Sequence, residues 1–201
     1  IAAGLWWQRQ GATPAAGNAG RVATAGSLVD NTQCLGCHQA QAQQWQQSHH
    51  AAAMALPTPD AVRGDFNNTQ FTHAGVTTRF FQRDGKYVVN TDGPDGRLAD
   101  FEIAWTFGVS PLQQYLIALP GGRLQALQIA WDTQRKQWFH LLPHEKTPPG
   151  DVLHWTGRYQ NANTMCIGCH TTGFEKRYDA ATDSFASKWA EPNVSCQSCH
   201  G

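Results

Sequence analysis

The sequence predicts an α+β fold, in which short helices flank three copies of one cysteine motif and an antiparallel β-meander is inserted between the first copy and the second. Two observations carry this expectation. Cys-x-x-Cys-His occurs three times, as Cys34-Leu-Gly-Cys37-His38, Cys166-Ile-Gly-Cys169-His170 and Cys196-Gln-Ser-Cys199-His200. Between the first two, over about residues 66–142, short apolar runs alternate with polar residues and are separated by turn signals. That is the period-2 pattern of half-buried strands.

In chain order, residues 1–27 read as an N-terminal arm. The opening IAAGLWW is apolar but too short to span a bilayer, which takes roughly 20 apolar residues. It reads as the remnant of a signal peptide or signal anchor, or else as an amphipathic segment packed on the body. Any membrane attachment is expected only through this anchor. The stretch GATPAAGNAGRVATAGS that follows has linker composition. Residues 28–201 form the domain proper. From Leu35 to about Met54 the chain has no proline and a Gln/Ala-rich body, which favours helix.

The meander begins near Phe66. Asp84-Gly85 between two apolar runs marks a tight hairpin, and roughly six strands are expected. After Pro143 the chain turns loop-rich, with short helices around the second and third motifs.

The 201 residues are 41% hydrophobic, as in an ordinary globular protein, and hold 15 Lys and Arg against 15 Asp and Glu. A nucleic-acid footprint needs a basic excess, so that class is excluded. All six cysteines lie in the three motifs. Two thiols three positions apart lie on one helical turn, at the span of the two vinyl groups along one porphyrin edge, and the adjacent imidazole can bind the iron. This is the attachment signature of c-type haem. Disulfides need no histidine after each pair, and zinc sites use such pairs two at a time.

The expectation is therefore a haem-dominated core with three haem c groups. Cys34, Cys37, Cys166, Cys169, Cys196 and Cys199 form the thioethers, and His38, His170 and His200 are the proximal iron ligands. Such attachment takes place across the energy-transducing membrane, so a periplasmic or extracellular protein is expected.

Six other histidines can supply the sixth iron position: His49, His50, His73, His140, His144 and His154. Methionine is scarce, and Met165 abuts Cys166 too closely to reach the far face of its iron. Bis-histidine ligation is favoured, with His50, His73 and His154 as the leading distal candidates. In a helix, His50 would lie twelve positions beyond His38, about 18 Å along the axis. It would therefore serve a neighbouring haem rather than the first.

Trp45-Gln-Gln-Ser48-His-His50-Ala-Ala-Ala-Met54 after the first motif resembles multihaem c-type cytochromes often fused to tetratricopeptide repeats. So do Phe71-Thr-His73, Pro111-Leu-Gln-Gln-Tyr-Leu, Pro120-Gly-Gly-Arg-Leu-Gln-Ala-Leu and His154-Trp-Thr-Gly-Arg. The resemblance covers about residues 30–201. It implies a secreted electron-transfer protein with His50 as a distal ligand. Relatives usually continue past the third motif into a longer C-terminal part, so the sequence to Gly201 is either a short form or lacks that remainder.

Three functions compete. The first is an electron carrier that meets redox partner proteins and, as a special case, self-associates into a filament that extends the haem chain. The second is a small reductase or peroxidase with one open iron. The third is a binding module built on the meander.

Overall fold

The computed structural model describes residues 28–200. The arm expected at residues 1–27, with its signal or anchor reading, lies outside the described residues.

Helix is scarce. Thr32–Leu35 (α1) and Gln39–Gln46 (α2) flank the first motif. Ala162–Met165 (α3) and Ile167–His170 (α4) carry the second, and Gln197–His200 (α5) the third. The single helix expected from Leu35 to Met54 is broken at Gly36-Cys37-His38 and ends at Gln46. There the Ser48 hydroxyl and the Ser48 N–H both donate to the Trp45 carbonyl, at 2.6 and 2.9 Å, and cap the helix end.

Strands make up the body. Met54–Ala55 (β1) is followed by Thr69–His73 (β2), Val76–Arg83 (β3), Lys86–Asp92 (β4) and Leu98–Phe107 (β5). Leu112–Leu119 (β6), Arg123–Ala126 (β7), Ile129–Asp132 (β8) and Gln137–His140 (β9) complete one sheet. All pairings are antiparallel, in the order β2-β3-β4-β5-β6-β8-β9, with β1 added on β5 and β7 on β6. A small hairpin, Tyr178–Asp179 (β10) with Ser184–Phe185 (β11), stands apart.

Sequence chemistry explains the turns. Asp84 and Gly85 join β3 to β4 with φ of 52° and 74°, the left-handed pair that a two-residue hairpin requires. On the side away from β5, the long β6 serves two neighbours: its first residues pair with β8, and its second half pairs with β7. The sheet curls until its two edges meet. The Trp138 indole N–H on β9 donates to the Thr69 hydroxyl on β2 at 3.0 Å, and the rings of His73 and His140 stack at 3.9 Å. The result is a nearly closed, barrel-like sheet.

This overturns the expected haem-dominated core. The protein supplies its own core inside the curled sheet, where Phe66, Phe80, Tyr87, Tyr115, Trp131 and Trp138 pack together. Phe80 stacks on Trp138 at 3.6 Å, and Phe66 meets four of its neighbours edge-on. Each such side chain contributes about 1.5–3 kcal/mol by burial. Four-residue helices cannot match that, since a short helix has almost no face to bury. The fold is mostly antiparallel β, and the cysteine motifs lie outside this aromatic core.

A second cluster, with Met54, Phe107, Leu116, Ala126, Ala162 and Ile167, joins the sheet to the second motif. Met54 is 1% exposed within it, a packing residue.

Gly64 marks how tightly the first core is filled. Its N–H donates to the Tyr115 hydroxyl at 2.9 Å, which donates in turn to Gln113 Oε1 at 2.9 Å. Burial pushes the Tyr115 phenol well above its ordinary range, so it stays protonated. A Cβ on Gly64 would run into the Tyr115 hydroxyl and come within 2.6 Å of the Trp138 ring. Gly64→Ala is expected to destabilise the fold by about 1–3 kcal/mol through overpacking. A denaturant titration should show a lower midpoint at unchanged slope, and an unchanged midpoint would contradict this packing.

Candidate haem-binding face

Each motif is one helical turn. In the first, the His38 N–H bonds the Cys34 carbonyl at 3.1 Å, and Asp30 caps the turn by accepting from the Thr32 N–H at 2.8 Å. In the third, the His200 N–H bonds the Cys196 carbonyl at 3.0 Å. In the second, Cys166 sits at the break between α3 and α4, and the Cys169 N–H bonds its carbonyl at 3.1 Å. None of the six cysteines is in a disulfide, and in every motif the first is half-buried and the second exposed. Burial pushes the Cys166 thiol up, with the nearby Cys169 adding to the effect.

A buried polar network fixes the second motif to the barrel. Asn163 accepts from the Leu124 N–H at 2.7 Å and donates to the Gly122 carbonyl and the Ser187 hydroxyl. Asn161 donates to Gln125 Oε1 at 2.9 Å, and the Gln125 amide donates to the carbonyls of Trp155 and Gly157. Asn161, Asn163 and Gln125 escaped the sequence reading. Nothing in their spacing distinguishes them from surface amides.

Thr172 ties the second motif to the third. Its hydroxyl donates to the Asn193 carbonyl at 2.7 Å, and it accepts from the Ser195 N–H and from Ser198.

The first motif is tied to the third as well. The Trp45 indole donates to the Val194 carbonyl at 2.8 Å, and the Val194 N–H returns to the His50 carbonyl at 3.1 Å. The Val29 N–H donates to the Gln197 side chain at 2.8 Å. His50 therefore sits beside the third motif. It lines a cleft of about 200 Å³ with Cys34, His38, Cys196, Cys199 and His200.

His170 shows what such a face can do. Its Nδ1 lies 3.0 Å from the Ala53 carbonyl, which can only accept, so Nδ1 carries the proton and Nε2 keeps a free lone pair. Its ring stacks on Phe107 at 3.8 Å, which sets its plane. An imidazole held this way is oriented as an iron ligand. The donor set of thiol pairs on one turn, each followed by an imidazole, fits a covalently attached haem.

The other expected distal candidates lie elsewhere. His73 and His154 line a second cavity, with His140, at the mouth of the barrel. No residue of a cysteine motif lines it. His154 is 2% exposed and both its nitrogens are engaged. Its Nδ1 accepts from the Thr156 N–H at 3.3 Å, so its Nε2–H donates to Asp92 Oδ2 at 3.2 Å. His49 and His144 are exposed.

This second cavity makes the fold acid-sensitive. Burial pushes the Asp92 carboxyl up, but hydrogen bonds from His154 and Thr91 outweigh it and hold the group below its ordinary value. A depressed carboxylate contributes stability at neutral pH that is lost as pH falls through its folded value. Burial, helped by His73, likewise lowers His140 below its ordinary 6.5, so folding is opposed once the unfolded imidazole protonates. Both act in the same direction. Melting temperature is expected to fall on acidification, first near the ordinary histidine value and again in the carboxylate range. Asp92→Asn should flatten the second decline, and a parallel profile would contradict the assignment.

The family described as cytochrome c554 and c-prime matches residues 33–79 and 130–201, which include all three motifs and omit the middle of the β-sheet. No curated protein matches the chain. Among solved structures, outer cell wall cytochrome OcwA superimposes with a TM-score of 0.50 at 17% identity, over 85% of this chain and 31% of that one. That likeness concerns the fold, and this chain spans about a third of the other. The chain belongs to the cytochrome c554 and c-prime family and is a multihaem c-type cytochrome.

Proposed function

We propose that the chain carries three c-type haems, one on each Cys-x-x-Cys-His turn, and passes electrons among them and to redox partner proteins outside the cytoplasm. The observation that carries this is the convergence of motifs. The first and third share one cleft with His50, and the second is bonded to the segments that carry both. When bound, the haem iron supplies the redox chemistry by alternating between its ferric and ferrous states. The polypeptide does the rest. Cysteine pairs 34/37, 166/169 and 196/199 would hold the porphyrins, and His38, His170 and His200 would ligate the irons.

His50 is the distal ligand in this reading, and it serves the third motif rather than its own. Its backbone is pinned to Val194, two residues before Cys196. Bis-histidine ligation there gives a low-spin iron of low potential. Polymerisation into a haem wire belongs to the same proposal, in which a surplus histidine such as the exposed His49 or His144 ligates a haem of a neighbouring copy. An extracytoplasmic setting is supported by the family's covalent haem and by the cell-wall cytochrome of similar fold.

His50→Ala is expected to convert one low-spin ferric site to high spin. Electron paramagnetic resonance of the oxidised protein at low temperature reads this directly. His50 is exposed, so the melting temperature of the polypeptide should hardly move. An unchanged spectrum would refute the ligand assignment. A high-spin site already present in the unaltered protein would favour the reductase or peroxidase alternative.

A further inference from the structure

The cavity at the barrel mouth, about 310 Å³ in volume, serves none of the chemistry described so far. It lies at the low end of the roughly 300–1,000 Å³ typical of ligand sites, so its occupant is small.

Its polar groups are arranged unevenly. Gln128 is 3% exposed and lines the cavity. Its Oε1 accepts from the Thr147 hydroxyl at 3.3 Å, while its Nε2 has no partner among the described residues. His140, 8% exposed, accepts the Leu142 N–H on Nδ1 at 3.1 Å. Its Nε2 therefore carries the proton and is a second donor. Lys146 stands exposed at the rim and adds a positive charge.

The carboxylate and hydroxyl acceptors are engaged. Asp92 takes the Thr91 hydroxyl on Oδ1 and the His154 imidazole on Oδ2, and Thr78 is hydrogen-bonded to Thr91. His73 donates its Nε2–H to the Glu145 carbonyl at 3.0 Å and offers its ring face to His140. Leu127, Ile129 and Trp155 supply an apolar wall.

One buried donor without a partner, a second donor on His140, a cation at the entrance and an apolar wall specify a complement. Buried polar groups are nearly always hydrogen-bonded, and an exception calls for a partner. We propose that this cavity binds a small carboxylate on a flat apolar body, the oxyanion meeting Gln128 Nε2 and His140 Nε2 and the body lying against Trp155. The site is separate from the haem-binding face and gives the β-barrel a role that electron transfer alone does not require.

Titration calorimetry on the intact haem-loaded protein tests this, with benzoate as the probe and benzamide and benzylamine as its uncharged and cationic counterparts. Benzoate is expected to bind saturably, and the other two at least ten-fold more weakly. Gln128→Glu keeps the side-chain shape but turns the donor into a repelling carboxylate, and should weaken benzoate at least ten-fold. Lys146→Ala lies on the surface, where folding is not at risk, and should weaken benzoate several-fold while leaving benzamide unmoved. No saturable benzoate binding, equal binding of benzamide, or benzoate binding indifferent to both substitutions would overturn the proposal.

Discussion

The imidazole of His170 is bound to protein at one nitrogen and free at the other, and the arrangement of the motif-bearing face depends on constraints of this kind. The bond from Nδ1 to the Ala53 carbonyl fixes the tautomer. The ring of Phe107 fixes the plane. Ala53 itself precedes β1, which pairs with β5, so the anchor for the second motif is the barrel and not a flexible loop. A ligand imidazole that must rotate into place loses entropy on binding, whereas one already oriented does not.

The barrel is therefore a rigid base for an otherwise weakly structured periphery. Motif helices of four residues would not persist alone, since nucleating a helix costs more than one turn returns. They are held from outside by side-chain bonds: Asn163 to β7, Thr172 to the loop before the third motif, and Trp45 to Val194. These contacts join stretches far apart in sequence, which is how motifs separated by over a hundred residues come to lie on one face. Sharing a cleft between the first and third motifs also follows from them.

Local chemistry was readable in the sequence because it depends on short spacing. The three Cys-x-x-Cys-His turns, the Asp84-Gly85 hairpin and the alternating runs from Thr69 to His140 are all properties of a few consecutive residues. Curling of the sheet was not, because it depends on the Thr69–Trp138 contact across 69 residues. The haem-centred core expected from three prosthetic groups failed for a related reason: the meander's aromatics pack on one another inside the sheet, and periodicity does not show which face of a strand they share. Histidine roles were the least legible. His73 and His154 resemble ligands by composition, but their placement with Gln128 and Asp92 is a tertiary fact. His50 is different, because it sits a few residues beyond a helix whose direction the first motif sets.

One measurement bears most directly on the central claim that each of the three motifs holds a porphyrin. The intact mass of the mature protein, taken under denaturing conditions that strip non-covalent groups, should exceed that of the bare polypeptide by three haems. Replacing one cysteine pair by serines should lower the excess by one. A mass equal to the polypeptide alone, or an excess that does not follow the number of intact motifs, would contradict it.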